Sequence, residues 1–411
     1  MSATAARPQA DRPTLVERAR LLVPGIAERA SETEKMRHVH EDSLKDLADS
    51  GLARALQAKV YGGEEANPAE FFLAATEISK ACASTGWIMM LLGVHSWELA
   101  HMSKELNDEI FGADPEALIS SSYNMQGNKA TRVEGGFRLS GTWRSSSGIH
   151  HAKWVVVGAD VPGEVVPYNF FFPIEDAKVV DDWYTLGLNG TGSRTVVVDD
   201  IFIPEHRAID RGILYGGFGP GLREFTAPLY RLPHAHIYTM VSAAPALGTG
   251  WRFLEEFKSA YGVSKTVSRS LEGDRLMLVR LAEARGALSA AQTVTVARLQ
   301  EAYDAACRGE ELSTLEIAQA MYDIAQNGKA GMSVVSSLFP ALRPNAVYSS
   351  NIMQRLYRDL IVAREHGTSN GDAQAEPLAM IDLGLAGGHL LFPPADQREA
   401  ARLRAQAKCY I

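Results

Sequence analysis

Apolar residues recur at roughly helical intervals from the start of the chain. Thr14 and Glu17 stand at the spacing of a capping box, and Leu15, Leu22 and Ile26 follow on one face. We therefore predict that a helix begins near Thr14.

Further helices are predicted up to residue 100. One runs from about Glu41 to Ser50 and ends at Gly51, because glycine is favoured just after a helix C-terminus. The apolar density from Pro68 to Ala100 predicts two buried helices with a break near Ala83–Gly86.

The pattern changes between Ile119 and Pro204, where short β-branched and aromatic runs alternate with Gly, Ser and Asp. These runs are Phe137–Leu139, Trp154–Val157, Tyr168–Phe172 and Thr195–Val198. Val133–Phe137 is typical of a hairpin turn. About six or more strands with such turns predict a small β-sandwich or barrel.

Long helical patterns return from about Thr239 onward. They cover Asp274–Arg308, a stretch capped by Ser313 and continuing to about Ser337, and Ile352–His366. Ala373–Pro377 is expected to be a loop, and the residues after Pro394 a loosely held tail.

The order of these elements defines the expected domains. We predict an N-terminal helical domain over residues 1–118, a central β-domain over 119–225, and a C-terminal helical bundle with a tail over 226–411. This is an α+β arrangement. It lacks the strand–helix alternation of a Rossmann or barrel fold.

Composition and charge exclude several classes of protein. The 411 residues are 46% hydrophobic with a net charge of −8, so the chain has a core and nucleic acid or a membrane surface is not its expected partner. Cys82, Cys307 and Cys409 form no C-x-x-C pair, and the first residues lack the apolar segment of a signal peptide. We expect a cytoplasmic protein.

Three kinds of motif are interpreted conservatively. The glycine-rich stretches Gly187–Gly192 and Gly216–Gly221 lack the strand-before, helix-after context of a nucleotide-binding loop. The histidine pairs, His150 with His151 and His234 with His236, lack an H-E-x-x-H motif, so no metal is expected. The serine clusters Ser120–Ser122 and Ser145–Ser147 suit either backbone capping or the binding of a polar ligand, and the pattern leaves both open.

Several motifs resemble the acyl-CoA dehydrogenase superfamily, whose members have an N-terminal helical domain, a central β-sandwich or barrel domain and a C-terminal four-helix bundle. They are Leu47–Leu52 with Val60–Gly63, Gly187–Arg207 and Arg355–Ser369. Within the superfamily, shorter blocks resemble the oxygenase components of two-component aromatic hydroxylases that act on 4-hydroxyphenylacetate or a phenolic secosteroid. These blocks are Ala83–Trp87, Val94–Ser96, Ile119–Tyr123, Ser146–His151, Asp181–Tyr184 and Pro228–Arg231.

The resemblance implies a site and a reaction. Reduced flavin, FMNH2 or FADH2, would arrive from a separate NAD(P)H-dependent reductase and react with molecular oxygen, and a C4a-hydroperoxyflavin would hydroxylate a phenolic or polycyclic aromatic substrate. Trp87, Ser145, Ser146, Ser147, Gly148 and Arg231 would bind the flavin. His95, Ser121, Tyr123 and His366 would bind the substrate, and His95, Ser121, Ser147 and His366 would be catalytic. Relatives of this kind are usually homotetramers.

One position separates the hydroxylase from the dehydrogenase. Where many acyl-CoA dehydrogenases carry a catalytic glutamate in Y-E-G-T, this chain has Glu365-His366-Gly367-Thr368. An imidazole is better suited than a carboxylate to proton transfer with a phenol near neutral pH. A shift of one residue would place Glu365 there instead, so a dehydrogenase stays open. Two further hypotheses are an N-oxygenase of the same fold and a helical scaffold that has lost its cofactor.

Overall fold

The computed structural model describes residues 13–125, 127–263, 274–342, 344–385, 389 and 391–410. The N-terminal α-helices of these residues are α1 (Leu15–Met36), α2 (Glu41–Asp49), α3 (Pro68–Ala81), α4 (Ala83–Leu99) and α5 (Lys104–Asn107). The later ones are α6 (Arg211–Tyr215), α7 (His234–Val263), α8 (Arg275–Arg308), α9 (Thr314–Leu338), α10 (Ile352–Arg364), α11 (Gly371–Asp382) and α12 (Ala395–Ala407).

All the described strands lie between the two helical parts. They are β1 (Ile119–Ser122), β2 (Lys129–Val133), β3 (Gly136–Ser146), β4 (Trp154–Ala159), β5 (Tyr168–Pro173), β6 (Lys178–Val180), β7 (Arg194–Pro204) and β8 (Ala208–Asp210). They form two four-stranded sheets, in the orders β1-β4-β5-β8 and β2-β3-β7-β6. Neighbours are antiparallel except β1 and β4, which are parallel. The predicted hairpin joins β2 to β3.

Aromatic side chains fill the space between the sheets. The rings of Phe137 on β3 and Phe170 on β5 lie 5.1 Å apart edge to face, an arrangement that aromatic pairs favour. Trp143 of β3 donates from Nε1 to the Gly158 carbonyl of β4 over 2.7 Å. The predicted β-sandwich between two helical parts is thus confirmed.

The helices of the third part pack around α7. Helix α7 contacts α8, α9 and α10, and it also contacts α3 and α4 of the N-terminal part. Nearly all of its described residues are buried up to Leu254, as is typical of a central helix that is apolar on every side. This packing brings α4, the end of β1 and the end of α10 to one place.

Two predicted helix boundaries need correction. Helices α3 and α4 are separated at Cys82, which is extended, and not at Ala83–Gly86. Gly86 lies inside α4, where a Cβ would lie 1.9 Å from Ser79 Oγ, so the glycine permits close helix packing and is not a breaker. Helix α10 ends at Arg364, so His366 lies just beyond it.

The segment Ala373–Pro377 lies within α11, and much of the expected tail forms α12. The amide of Ala373 donates to Asn370 Oδ1, which caps α11, and α11 packs on α9. Helix α12 buries Ala401 and Ala405. Tertiary packing therefore outweighs the helix-breaking tendency of proline in this part of the chain.

No helix among the described residues is long and apolar enough to cross a membrane.

Candidate active site

A cavity of about 650 Å³ lies where α4, β1, the end of β3, α7 and the turn after α10 meet. This volume is in the range of small-molecule and cofactor sites. The predicted site residues that line it are Trp87, His95, Ser121, Tyr123, Ser145, Ser147 and His366. The fold thus brings together predicted residues that are far apart in the chain, since both Trp87 and His366 contribute to the wall.

His95 and Ser121 form a directed pair in this cavity. His95 Nδ1 lies 2.7 Å from the Ile119 carbonyl, which only accepts, so Nδ1 carries the proton. Nε2 of the neutral ring is then the acceptor for the Ser121 hydroxyl, 2.9 Å away. Burial lowers the pKa of His95 to about 4, which keeps the ring neutral near pH 7. The Oγ lone pairs of Ser121 are therefore available to accept a hydrogen bond in the cavity.

Ser147 belongs to a chain of three hydroxyls with a fixed direction. Thr191 Oγ1 donates to the Leu188 carbonyl over 2.8 Å and so accepts from Ser193 Oγ, 2.7 Å away. Ser193 has then used its only proton and accepts in turn from Ser147 Oγ, also 2.7 Å away. Ser147, Ser193 and Thr191 all line the cavity. Ser147 therefore offers lone pairs, not a proton, to a ligand.

Of the residues next to Ser147, one lines the cavity and two hold the turn in place. Ser145 lines the cavity and has a φ of +63°, in the left-handed region, at an irregularity in the pairing of β3 with β7. Ser146 is fully buried and its Oγ lies 2.8 Å from that of Ser120, so its side chain is not at the cavity. Gly148 also has a positive φ, +74°, and its amide donates to the Thr191 carbonyl. Ser146 and Gly148 thus hold the turn that presents Ser145 and Ser147.

His366 and Trp87 form another part of the wall. Their rings meet edge to face with centroids 5.1 Å apart. The amide of Thr368 donates to His366 Nδ1 over 3.3 Å, so Nε2 carries the proton of the neutral ring. The side chain is open to the cavity, yet desolvation by the surrounding protein lowers the pKa of His366 to about 4. His366 is thus a hydrogen-bond donor through Nε2 near pH 7.

Glu365 also lines the cavity, at the C-terminus of α10. It is exposed, and it borders a second surface depression as well. The ring contact with Trp87 is made by His366.

A buried carboxyl group lies behind one end of the cavity. Glu98 Oε2 lies 2.6 Å from the Tyr123 hydroxyl and 2.5 Å from the Tyr238 hydroxyl, and both tyrosines line the cavity. Asn169 links Glu98 to the buried Arg211, donating to one and accepting from the other. Burial raises the pKa of Glu98, while the two tyrosine hydroxyls oppose that rise.

The sequence pattern does not reveal Glu98 as part of the site, and the predicted flavin-binding residue Arg231 lies away from this cavity. Glu98 is the only carboxylate in a helix that is rich in apolar residues, which is a signal that points to a buried polar role. Thr191 and Ser193 lie in or beside the glycine-rich stretch that lacks the context of a nucleotide loop. Arg231 is exposed and does not line this cavity. Its side chain reaches toward Gly309, at the end of α8.

The cavity fits a flavin ring system. Trp87 Nε1 is a buried donor with no hydrogen-bond partner among the described residues, so it suits an acceptor on a bound group. Ser147 and Ser121 offer acceptors, and apolar residues such as Leu91 and Leu188 cover the remaining wall. A mixed wall with a few directed polar groups is typical of a cofactor site.

Comparison with known proteins places the chain in a family. Residues 15–107 match the profile described as acyl-CoA dehydrogenase, N-terminal domain, and residues 240–370 match acyl-CoA dehydrogenase, C-terminal domain. The chain belongs to the acyl-CoA dehydrogenase family and, within it, to the oxygenase components of flavin-dependent monooxygenases.

Three similarities support the narrower group. The oxygenase subunit HsaA of a flavin-dependent monooxygenase from Rhodococcus jostii RHA1 is 34% identical over 364 residues, covering 86% of this chain and 94% of HsaA. The crystal structure of 3-HSA hydroxylase from Rhodococcus sp. RHA1 superposes with a TM-score of 0.88 at 32% identity, over 93% of this chain and 99% of that one. The oxygenase component of p-hydroxyphenylacetate 3-hydroxylase from Acinetobacter baumannii is 29% identical, over 90% and 89% of the two chains.

Proposed function

We propose that this chain hydroxylates a phenolic or polycyclic aromatic substrate with reduced flavin and molecular oxygen. The observation that carries the proposal is that one cavity holds two separate hydrogen-bond acceptors, Ser147 and the Ser121–His95 pair. The first suits an N–H group of a reduced flavin, and the second suits a phenolic hydroxyl.

The flavin side is formed by the turn after β3 and by α4. Bound reduced flavin supplies the two electrons that activate oxygen, so that one oxygen atom enters the substrate and the other leaves as water. Ser147 would hold a reduced flavin by accepting a hydrogen bond from its N5–H, which oxidised flavin lacks. Trp87 and the backbone at Ser145, which has a conformation that a regular strand does not offer, would hold the ring system. Arg231 has no part in this single-chain site.

The substrate side is formed by α4 and β1. A phenolic hydroxyl would donate to Ser121 Oγ, whose own proton is held by His95 Nε2. This hydrogen bond polarises the phenolic O–H bond, which makes the ring more electron-rich and therefore more reactive toward an electrophilic oxygen. Tyr123 lines the same end of the cavity, and its hydroxyl is held by Glu98.

His366 is placed to handle the proton of the transferred oxygen. Its Nε2–H donates into the cavity, while Thr368 holds Nδ1 and is itself 2.6 Å from Ser242 Oγ. Nδ1 is thus engaged within the protein, while Nε2–H is left to donate to a ligand.

The partners follow from this chemistry. A separate NAD(P)H-dependent flavin reductase supplies the reduced flavin, and the cytoplasm is the compartment in which both components meet. A homotetramer is supported by exposed apolar side chains in the first turn of α8, at Leu276, Leu278 and Val279.

The test supplies chemically reduced FMN or FAD, without a reductase, to the protein and a panel of phenols in aerated buffer. Hydroxylated product is expected in excess of released hydrogen peroxide for at least one phenol. Release of peroxide alone across the panel, together with bleaching of protein-bound oxidised flavin by an acyl-CoA thioester, would favour a dehydrogenase with Glu365 as its base.

A further inference from the structure

Four metal-ligating side chains meet away from the cavity, at the junction of α1 and α2 with the turn after β3. They are His38, Glu41, His150 and His151, and one ligand atom from each lies within 4.8 Å of the ligand atoms of the others. His38 and Glu41 come from the N-terminal helical part, and the other two from the β-domain. Over a hundred residues therefore separate the two halves of this cluster.

Two of these histidines are oriented by one backbone carbonyl. His38 Nδ1 lies 3.1 Å from the Val39 carbonyl, and His151 Nε2 lies 2.9 Å from the same oxygen. Because a carbonyl only accepts, both of these nitrogens carry protons. The other nitrogen of each neutral ring is then a lone-pair donor. Metal-binding histidines are commonly oriented in this way, with the second nitrogen donating to a carbonyl.

The lone pair of His151 faces a carboxylate. Its Nδ1 is 3.5 Å from Glu41 Oε1, so a cation bound between the two atoms would be attracted to both. A distance of about 3.3 Å is the ligand–ligand separation in a tetrahedral zinc site.

We propose that His38, Glu41, His150 and His151 bind one divalent transition-metal ion, with Zn²⁺ as the best match. Three imidazoles and a carboxylate are borderline ligands of the kind that zinc accepts in four-coordinate sites. The ring of His150 stacks on the ring of His38 with centroids 3.9 Å apart. Rotation of the His150 side chain would turn one of its ring nitrogens toward the ion and supply the fourth ligand. His150 and Glu41 are exposed, so the ion has a path from solvent and the two ligands that must move are free to do so.

The charges around the cluster permit a cation. Arg194 is the nearby positive group that acts on His150, but Asp181 lies 3.1 Å from its Nε. Asp181 also binds Arg37, the residue before His38. Glu41 itself supplies a negative charge in the first turn of α2.

The bound ion would link the N-terminal helical part to the β-domain. The amide of His151 donates to the Gly148 carbonyl, so the ligand-bearing turn is continuous with the turn that presents Ser147. Zinc is therefore expected to stabilise the whole chain and to hold the flavin-side turn in place, without taking part in the oxygen chemistry.

The test is a calorimetric titration of chelator-treated full-length protein with ZnCl2 in a non-coordinating buffer. We expect one zinc per chain, a rise in the melting temperature, and affinity at least about tenfold weaker in His38→Ala and in Glu41→Gln. Glu41→Gln preserves the shape of an exposed side chain, so misfolding would not explain its effect. Co²⁺ in place of zinc is expected to give the intense visible bands of four-coordinate cobalt.

A matched control uses the second cluster of the described residues, Glu105, Glu109 and His206. There the Glu109 carboxylate already accepts a hydrogen bond from Arg207 Nε over 2.8 Å. The variant His206→Ala should therefore leave the zinc affinity of the chain unchanged. The proposal is overturned if the wild-type chain binds no zinc at about 100 µM, a concentration well above a structural site's dissociation constant. It is equally overturned if binding survives intact in both His38→Ala and Glu41→Gln.

Discussion

Ser121 donates its hydroxyl proton to Nε2 of His95, 2.9 Å away, because the Ile119 carbonyl fixes the proton of that ring on Nδ1. Because the hydroxyl proton of Ser121 is used in this bond, Ser121 Oγ accepts a hydrogen bond from a ligand in the cavity. The pair therefore distinguishes ligands that carry a hydroxyl from those that do not.

Replacing Ser121 by alanine should weaken phenol binding. Loss of one hydrogen bond to a partly charged partner corresponds to about 1.5–3 kcal/mol, or roughly a tenfold to hundredfold rise in the phenol Kd. Equilibrium titration of the flavin-bound enzyme measures this directly. Ser96→Ala is the control, since Ser96 lies on the same helix as His95 but donates to the Leu92 carbonyl. Equal affinities of Ser121→Ala and wild type for the phenol would contradict the assignment.

Replacing Ser193 by alanine should reduce the preference for reduced flavin. Without Ser193 as acceptor, the Ser147 hydroxyl is free to donate and can satisfy N5 of oxidised flavin. Anaerobic titrations with reduced and oxidised flavin give the two dissociation constants. We expect their ratio to fall by about tenfold in Ser193→Ala, and in Ser147→Ala the affinity for reduced flavin to fall by a similar factor. An unchanged ratio in Ser193→Ala would show that the hydroxyl direction has no role.

The contacts of Glu98 with Tyr123 and Tyr238 illustrate what sequence can and cannot supply. Local patterns predict the helical, β and helical order, and local motifs predict the cavity residues such as Trp87 and Ser147. Tyr238 lies 140 positions from Glu98, and no local pattern predicts that their side chains meet. The direction of the Ser147 hydrogen bond likewise depends on the Leu188 carbonyl, which only the folded loop brings into place.

Replacing Glu98 by leucine should destabilise the fold. The change leaves the hydroxyls of Tyr123 and Tyr238 and the amide of Asn169 without their buried acceptor. We expect the free energy of unfolding in urea to fall by at least about 2 kcal/mol. Glu105→Leu, at an exposed carboxylate, should change it by less than about 0.5 kcal/mol. Equal stability of Glu98→Leu and wild type would mean that water replaces the carboxylate.

Buried neutral histidines should make the fold sensitive to mild acid. Burial lowers the pKa of His101 from its ordinary 6.5 to about 3. Between these values the unfolded chain binds a proton that the folded chain does not. The free energy of unfolding therefore falls as the pH decreases below 6.5, by about 1.4 kcal/mol per pH unit for this group. Urea unfolding at pH 7, 6 and 5 should show a shallower dependence in His101→Phe than in wild type. Parallel dependences would contradict a neutral buried ring.

The most direct test of the account is the origin of the oxygen atom in the product. The wild-type protein, given reduced flavin and a phenol that it hydroxylates, is allowed to react under ¹⁸O₂ in ordinary water, and the product is analysed by mass spectrometry. One ¹⁸O atom is expected in the product, and in Ser147→Ala the yield per flavin oxidised is expected to fall while hydrogen peroxide rises. An unlabelled product, or an equal yield in Ser147→Ala, would contradict a monooxygenase that uses this cavity.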